Sequence, residues 1–387
     1  MSKLALVGGK IVTPFRVVKN GAILIKDDRI YEIGETDEIS FGDDTEVIDV
    51  SGSIIAPVFV DLLVHGGAGR GFSDEDEDSI QIISDYFLSQ GSTTMMASLH
   101  AKPKHLLLND FRRLARYIKA NPDSNIKGIH MEGPYLNPEY KGAMNEEYLW
   151  EPSIESFLEM YEASEGYLKI MTIAPELPGA LEVIREASFR GVICSIGHST
   201  ASYEEIVKAI DHGAMHVTHM FNAMKPMHHR HPSLMTAALL REELKIELIA
   251  DTFHVHPAMM ELLLKFKTPK NIVLITDSIR AGGMHEGEYH FSDQKVFLKD
   301  NIATLADGTL AGSTLTLNRA VKNLLDTTEV KITDAFRMSS LNGSKVIGAG
   351  RGILAAGKIA DIVVLNENFD VEMTLIAGEI RFRKKYS

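Results

Sequence analysis

The sequence predicts an α/β protein: a (β/α)8, TIM-like barrel carrying a small β-sandwich built from both chain ends. Three observations point there. Eight short apolar runs rich in β-branched residues recur through the middle of the chain. Helix-patterned amphipathic stretches separate them. Both ends read instead as short alternating strands joined by Gly- and Asp-containing turns.

At the start, residues 4–7, 11–13, 22–26, 29–33 and 46–49 read as strands. Gly8-Gly9, Lys19-Asn20-Gly21 and Asp27-Asp28 read as the turns between them. At the other end, residues 360–365 and 372–376 are strand-like and Ala377-Gly378-Glu379 is a turn. Neither end has apolar residues enough for its own core. Both are therefore expected to pair into one sandwich over 1–53 and 346–387, around a barrel spanning 54–345. The barrel runs are 54–64, 93–97, 126–131, 169–174, 192–196, 214–218, 246–250 and 272–276. Helices are expected at 78–90, 104–120, 154–164, 180–190, 203–212 and 258–267. Near-continuous apolar strands alternating with helices imply a parallel sheet buried on both faces. A doubly wound open sheet is the alternative. Against it, no Gly-rich phosphate loop follows the first strand, and polar residues recur at nearly every strand end. The acidic run 74–78 precedes a helix, where carboxylates suit the positive N-terminal end.

Composition narrows the function. The chain has 387 residues, 45% hydrophobic and 24% charged, and a formal net charge of −13. That balance opposes a nucleic-acid or anionic-membrane partner, yet a few local cations can still hold a phosphate. The one cysteine, Cys194, allows no intrachain disulfide and no zinc site built on several thiolates. The 15 histidines are the obvious metal-ligand supply. No apolar leader opens the chain, and no run approaches the roughly 18 apolar residues of a membrane span. A cytoplasmic protein is expected.

The chemistry lies at the strand ends. His65 follows the first barrel run, Glu132 the third, His198 the fifth, His219 the sixth and Asp277 the eighth. In a (β/α)8 barrel these ends converge on one mouth. Two imidazoles and one carboxylate make an open catalytic zinc site, with a place left for water. Such an ion brings water's pKa towards neutrality. Asp277 can take the proton and return it to a leaving group.

Several motifs then resemble one family closely. They are His130-Met131-Glu132-Gly133-Pro134, Gly197-His198-Ser199, the run from Val217 through Thr218-His219 to Phe221-Asn222-Ala223-Met224, Asp251 with His254, Thr276-Asp277, and Leu310-Ala311-Gly312-Ser313-Thr314-Leu315. Together they resemble the N-acetylglucosamine-6-phosphate deacetylases of the amidohydrolase superfamily. The resemblance runs on to Gly357-Lys358 and Ala360-Asp361 and covers essentially the whole chain.

The resemblance implies roles. Glu132, His198 and His219 match the metal ligands, and Asp277 the catalytic acid/base. Asn222 and Ala223 match the segment that meets the sugar phosphate. Arg230 matches an arginine that reaches the phosphate across a dimer interface, a geometry guanidinium suits. Asp251 and His254 fall at a substrate-contacting histidine, Ala143 and Met144 on a substrate loop, and Leu310, Ala311 and Gly312 beside the acetyl group. It implies one divalent ion per chain, zinc first, with iron, manganese or cobalt as alternatives. It also implies an amino-sugar phosphate as substrate and a homodimer.

Two departures stand out. Leu63 replaces the first histidine of the pair common at the end of the first strand, leaving only His65. Met144 replaces a histidine that helps hold or polarise the substrate, and a thioether donates no hydrogen bond. Two other readings therefore stay open. One is an amidohydrolase for another N-acyl sugar or a cyclic amide. The other is a catalytically weakened relative that binds a sugar phosphate.

Overall fold

The structure, a computed structural model, describes residues 3–76 and 78–385. Eight parallel strands form a nearly closed barrel: Phe59–Val64, Ser92–His100, Ile126–Glu132, Leu168–Ile173, Ile193–Ile196, Ala214–Val217, Lys245–Ile249 and Ile272–Ile275. Each is hydrogen-bonded to the next in chain order. Most of their side chains are buried on both faces, as in Ile272 to Ile275, which is why the runs are near-continuously apolar rather than alternating. The eighth strand returns to the first at the mouth. There Asp277 N–H donates to Leu63 O at 2.9 Å, and His65 N–H to Ser278 O at 2.8 Å. Asp61, fully buried in the first strand, accepts from Thr276 Oγ1 at 2.7 Å and Thr276 N at 3.2 Å. Burial pushes the Asp61 carboxyl up to about 7.

The six expected helices are present as Ser79–Ser89, Lys104–Ala120, Ile154–Ala163, Ala180–Phe189, Tyr203–Asp211 and Pro257–Phe266. Each buries one stripe. In Lys104–Ala120 the stripe is Leu107, Phe111, Leu114 and Ile118, spaced by three and four residues. Tyr203–Asp211 starts on a reciprocal cap: Ser202 Oγ accepts from Glu205 N, and the Glu205 carboxylate accepts from Ser202 N. Leu234–Leu240, Leu317–Thr327 and Ile332–Phe336 add further helices. No helix among the described residues is long and apolar enough to cross a membrane.

The two chain ends meet in one connected eight-stranded sheet. It encloses its own apolar core, with Leu6, Ile11, Ile23 and Ile55 from the start and Ile362 and Leu375 from the end. Four local expectations are corrected. The run 54–64 is two strands: Ile54–Pro57 pairs antiparallel with Ile362–Leu365 in the end sheet, and Phe59–Val64 enters the barrel. Hydrophobicity is unbroken across Pro57-Val58, so pattern alone could not mark the hand-over. Gly8-Gly9 and Lys19-Asn20-Gly21 are not turns. They lie inside Lys3–Val12 and Val17–Lys26, with Gly9 opposite Gly21 at a register shift. A Cβ on Gly21 would meet the buried Ile11 side chain, which packs into the space glycine leaves there. Of the acidic run only Asp78 stands at the helix start, as its N-cap residue without a side-chain capping bond, and the first turn holds no acid. Asp74 pairs with Arg280 and Asp76 lies 3.3 Å from Arg70, while Glu77 is outside the described residues. Finally, a three-stranded antiparallel insert, Gly287–Phe291, Gln294–Lys299 and Ile302–Thr304, follows the eighth barrel strand with no counterpart in the expectation.

Candidate active site

The side chains at the strand ends converge. Glu132 is the last residue of the third strand. His198, His219 and Asp277 each stand two residues beyond their strands, on backbone with φ of 50°, 30° and 52°. That left-handed turn, uncommon for residues with a side chain, swings each group across the mouth. Glu132 Oε1 lies 3.2 Å from His198 Nε2 and 3.1 Å from His219 Nε2, and the two imidazole nitrogens are 3.0 Å apart. All three residues are buried.

This donor set fits a cation. His198 Nδ1 is 2.7 Å from the Tyr140 carbonyl, which can only accept. The ring proton therefore belongs on Nδ1, and Nε2 offers a lone pair. Burial would raise the Glu132 carboxyl, but the surrounding His198, His219 and His65 imidazoles hold it well below its ordinary range. A lone pair thus faces an ionised oxygen and a second imidazole. Three convergent ligand atoms with an anchored histidine make an N2O set that could hold a divalent metal ion.

A second trio shares the same carboxylate. His65 Nε2 is 3.1 Å from Glu132 Oε2 and 3.5 Å from Asp277 Oδ1. Leu63 is fully buried and offers no ligand atom. Burial, helped by the neighbouring Glu132 charge, raises the Asp277 carboxyl above its ordinary value. The other interior histidines differ in kind. Burial pushes His130 down to about 4 and His100 to about 3, so both are neutral, and His130 is pinned between Leu62 O and Thr172 Oγ1.

These groups open into a cavity of about 350 Å³. Of the residues expected at a substrate site, Ala143, Met144, Asn222, Ala223, His254, Leu310 and Gly312 line it. Three expected residues do not. Asp251 stands behind His254, with Oδ2 2.6 Å from its Nδ1 and Oδ1 accepting its N–H at 2.8 Å. Ala311 is fully buried, its N–H donating to Ala303 O. Arg230 is exposed on the loop beyond, with Nη1 3.3 Å from His229 Nε2. The cavity also takes in Glu139, Tyr140, Gly142, Phe291 and Thr309, which sequence reasoning missed. Tyr140 and Gly142 lie just before Ala143 and Met144 of the expected substrate loop, so the loop's path was the available signal. Phe291 arrives from the insert and packs 5.3 Å from the His65 ring, with no sequence signal to announce it.

The amidohydrolase family matches residues 54–381. An N-acetylglucosamine-6-phosphate deacetylase of Bacillus subtilis (strain 168) is 33% identical over 97% of this chain and 96% of its own. An N-acetylgalactosamine-6-phosphate deacetylase of Escherichia coli O157:H7 is 32% identical over 86% of this chain and 89% of its own. Among solved structures, a Mycobacterium smegmatis N-acetyl-D-glucosamine-6-phosphate deacetylase mutant in complex with N-acetyl-D-glucosamine-6-phosphate superposes with a TM-score of 0.92. It is 30% identical and matches over 98% of this chain and 99% of its own. The barrel, the donor set at its mouth and these matches together show that the chain belongs to the amidohydrolase family.

Proposed function

We propose that this chain hydrolyses the N-acetyl group of N-acetylglucosamine 6-phosphate, giving glucosamine 6-phosphate and acetate. The observation that carries the reading is Asp277 beside the Glu132–His198–His219 set, in one cavity that a sugar phosphate can enter. The names of the relatives supply the substrate class. When bound to Glu132, His198 and His219, a divalent ion, zinc first, supplies Lewis acidity and brings water's pKa towards neutrality. Asp277 receives the proton of the attacking water and later gives it to the amine nitrogen as the C–N bond breaks. Tyr140 O and Asp251 hold His198 and His254 in their orientations. Arg230 lies outside its own cavity wall and is exposed, which supports its reaching a neighbouring site in a homodimer. A cytoplasmic location accompanies this reading.

Another N-acyl sugar phosphate is the second reading, favoured by Met144 and by the N-acetylgalactosamine-6-phosphate relative. Acetate release from both sugar phosphates, measured side by side on metal-analysed protein, tests the first reading. Turnover of the glucosamine derivative is expected, and faster turnover of the galactosamine one overturns the assignment. Elemental analysis is expected to find one divalent ion per chain. Leu63 removes a ligand, and the second trio has to share Glu132. Two tightly held ions with His65 as a ligand refute that count.

Met144 yields a prediction of its own. It is buried in the cavity wall, and its N–H donates to Lys141 O at 3.1 Å in a closed loop. Met144→His is expected to raise kcat/KM for the acetylated sugar phosphate about tenfold, the worth of one recovered hydrogen bond to developing charge. Met144 also packs with Leu136, Ile279 and Phe291, so part of the gain is offset by lost apolar contact. An unchanged or lower kcat/KM means that the thioether serves packing alone.

A further inference from the structure

The opposite end of the barrel, where the strands begin, holds a second cavity, of about 650 Å³. Lys245 opens the seventh strand, Lys270 lies just before the eighth, and Arg337 and Lys345 come from the helical stretch after Ile332. These four cations line one concavity, and no carboxylate lines it with them. Three acids reach its margin: Asp334 lies 3.8 Å from Arg337 Nε, Glu242 accepts from Asn271 Nδ2 at 2.7 Å, and Glu247 stands beside His216. Lys270 and Lys345 have no carboxylate partner among the described residues. On a chain of net charge −13, such a cluster is a local reversal of field that favours a counter-anion. Burial holds the Lys245 ammonium below its ordinary range, against the attraction of nearby Glu242.

His216 lines the cavity, is fully buried, and has ring nitrogens with no hydrogen-bond partner among the described residues; Nδ1 stands 3.4 Å from Glu247 Oε1. Phe15, also in the lining, is 64% exposed, and the Arg337 guanidinium stands 5.0 Å from its ring centre. With the exposed Met215 it gives the cavity a flat apolar wall beside its charge. We infer that this cavity binds a nucleoside phosphate, with the phosphates on Lys245, Lys270 and Lys345 and the base against Phe15. Phosphate suits clustered cations, and a planar base suits an exposed ring next to a guanidinium.

Calorimetry on the full chain tests this with ADP, pyrophosphate and adenosine as probes. ADP is expected to bind saturably and at least about tenfold more tightly than pyrophosphate or adenosine. The Lys270→Glu/Lys345→Glu double variant is expected to weaken ADP at least about tenfold, while its melting temperature and acetate release stay unchanged. The milder Lys345→Met serves if the double variant does not fold, with a loss of about threefold expected. Phe15→Ala should weaken ADP and leave pyrophosphate unaffected. No saturable ADP binding up to millimolar concentration, or equal binding to the lysine variants, overturns the site. Pyrophosphate binding as tightly as ADP, or Phe15→Ala without effect, overturns the nucleotide assignment.

Discussion

Asp277→Asn is expected to keep the fold and the bound ion and to lose about 10²–10⁴-fold in kcat, the usual contribution of a positioned acid/base group. The backbone at this point does not depend on the side chain. Asp277 N–H donates to Leu63 O, and its carbonyl accepts from Ser313 N–H at 2.8 Å. Asparagine preserves the shape, so the mouth stays closed around the same ligands. What it lacks is a basic oxygen for the water's proton. The buried carboxyl is raised above its ordinary value, meaning that its ionised form is disfavoured in the fold. The neutral amide removes that penalty, so the melting temperature should hold or rise at neutral pH. Loss of rate with unchanged metal content and an unchanged or higher melting temperature separates a proton-transfer role from a structural one. Near-normal turnover in this variant removes Asp277 from the mechanism.

The barrel was legible because its two signals agree. The strands are apolar on both faces and the helices on one, so period and length separate them. The site was legible for a related reason: a barrel gathers the residues after its strands, and Glu132, His198, His219 and Asp277 are polar residues at such ends. What stayed hidden lacks a local signature. Gly9 and Gly21 read as turns because glycine marks turns and close strand contact alike, and only the partner strand distinguishes them. Phe291 is an apolar residue in an exposed hairpin, indistinguishable by pattern from a sheet residue elsewhere. Asp251 and Arg230 share the motif density of the cavity residues, yet one stands behind His254 and the other out on a loop. Motif spacing reports neighbourhood and does not report which way a side chain points.

Glu132→Ala is expected to have the other large effect, on metal content first and rate second. One oxygen of Glu132 meets His198 and His219, and the other meets His65. Removing the carboxylate takes away the only anionic ligand of the open set and leaves two neutral imidazoles to hold a doubly charged ion. Metal content should fall towards zero after dialysis, and kcat/KM by about 10³-fold or more, since the ion's Lewis acidity leaves with it. The fold should survive, because His198 keeps its bond to Tyr140 O and the strand end keeps its ladder to Ser98, His100 and Thr172. The comparison that gives the result meaning is His65→Ala. It touches the second oxygen and, at 3.5 Å, Asp277 Oδ1, but neither atom of the His198–His219 pair, so it should retain one ion per chain and lose less activity than Glu132→Ala. If both variants lose the ion equally, His65 is a ligand and the single-ion reading fails. If Glu132→Ala keeps a full ion, the metal is held elsewhere, and the convergence of Glu132, His198 and His219 is a hydrogen-bonded knot instead of a binding site.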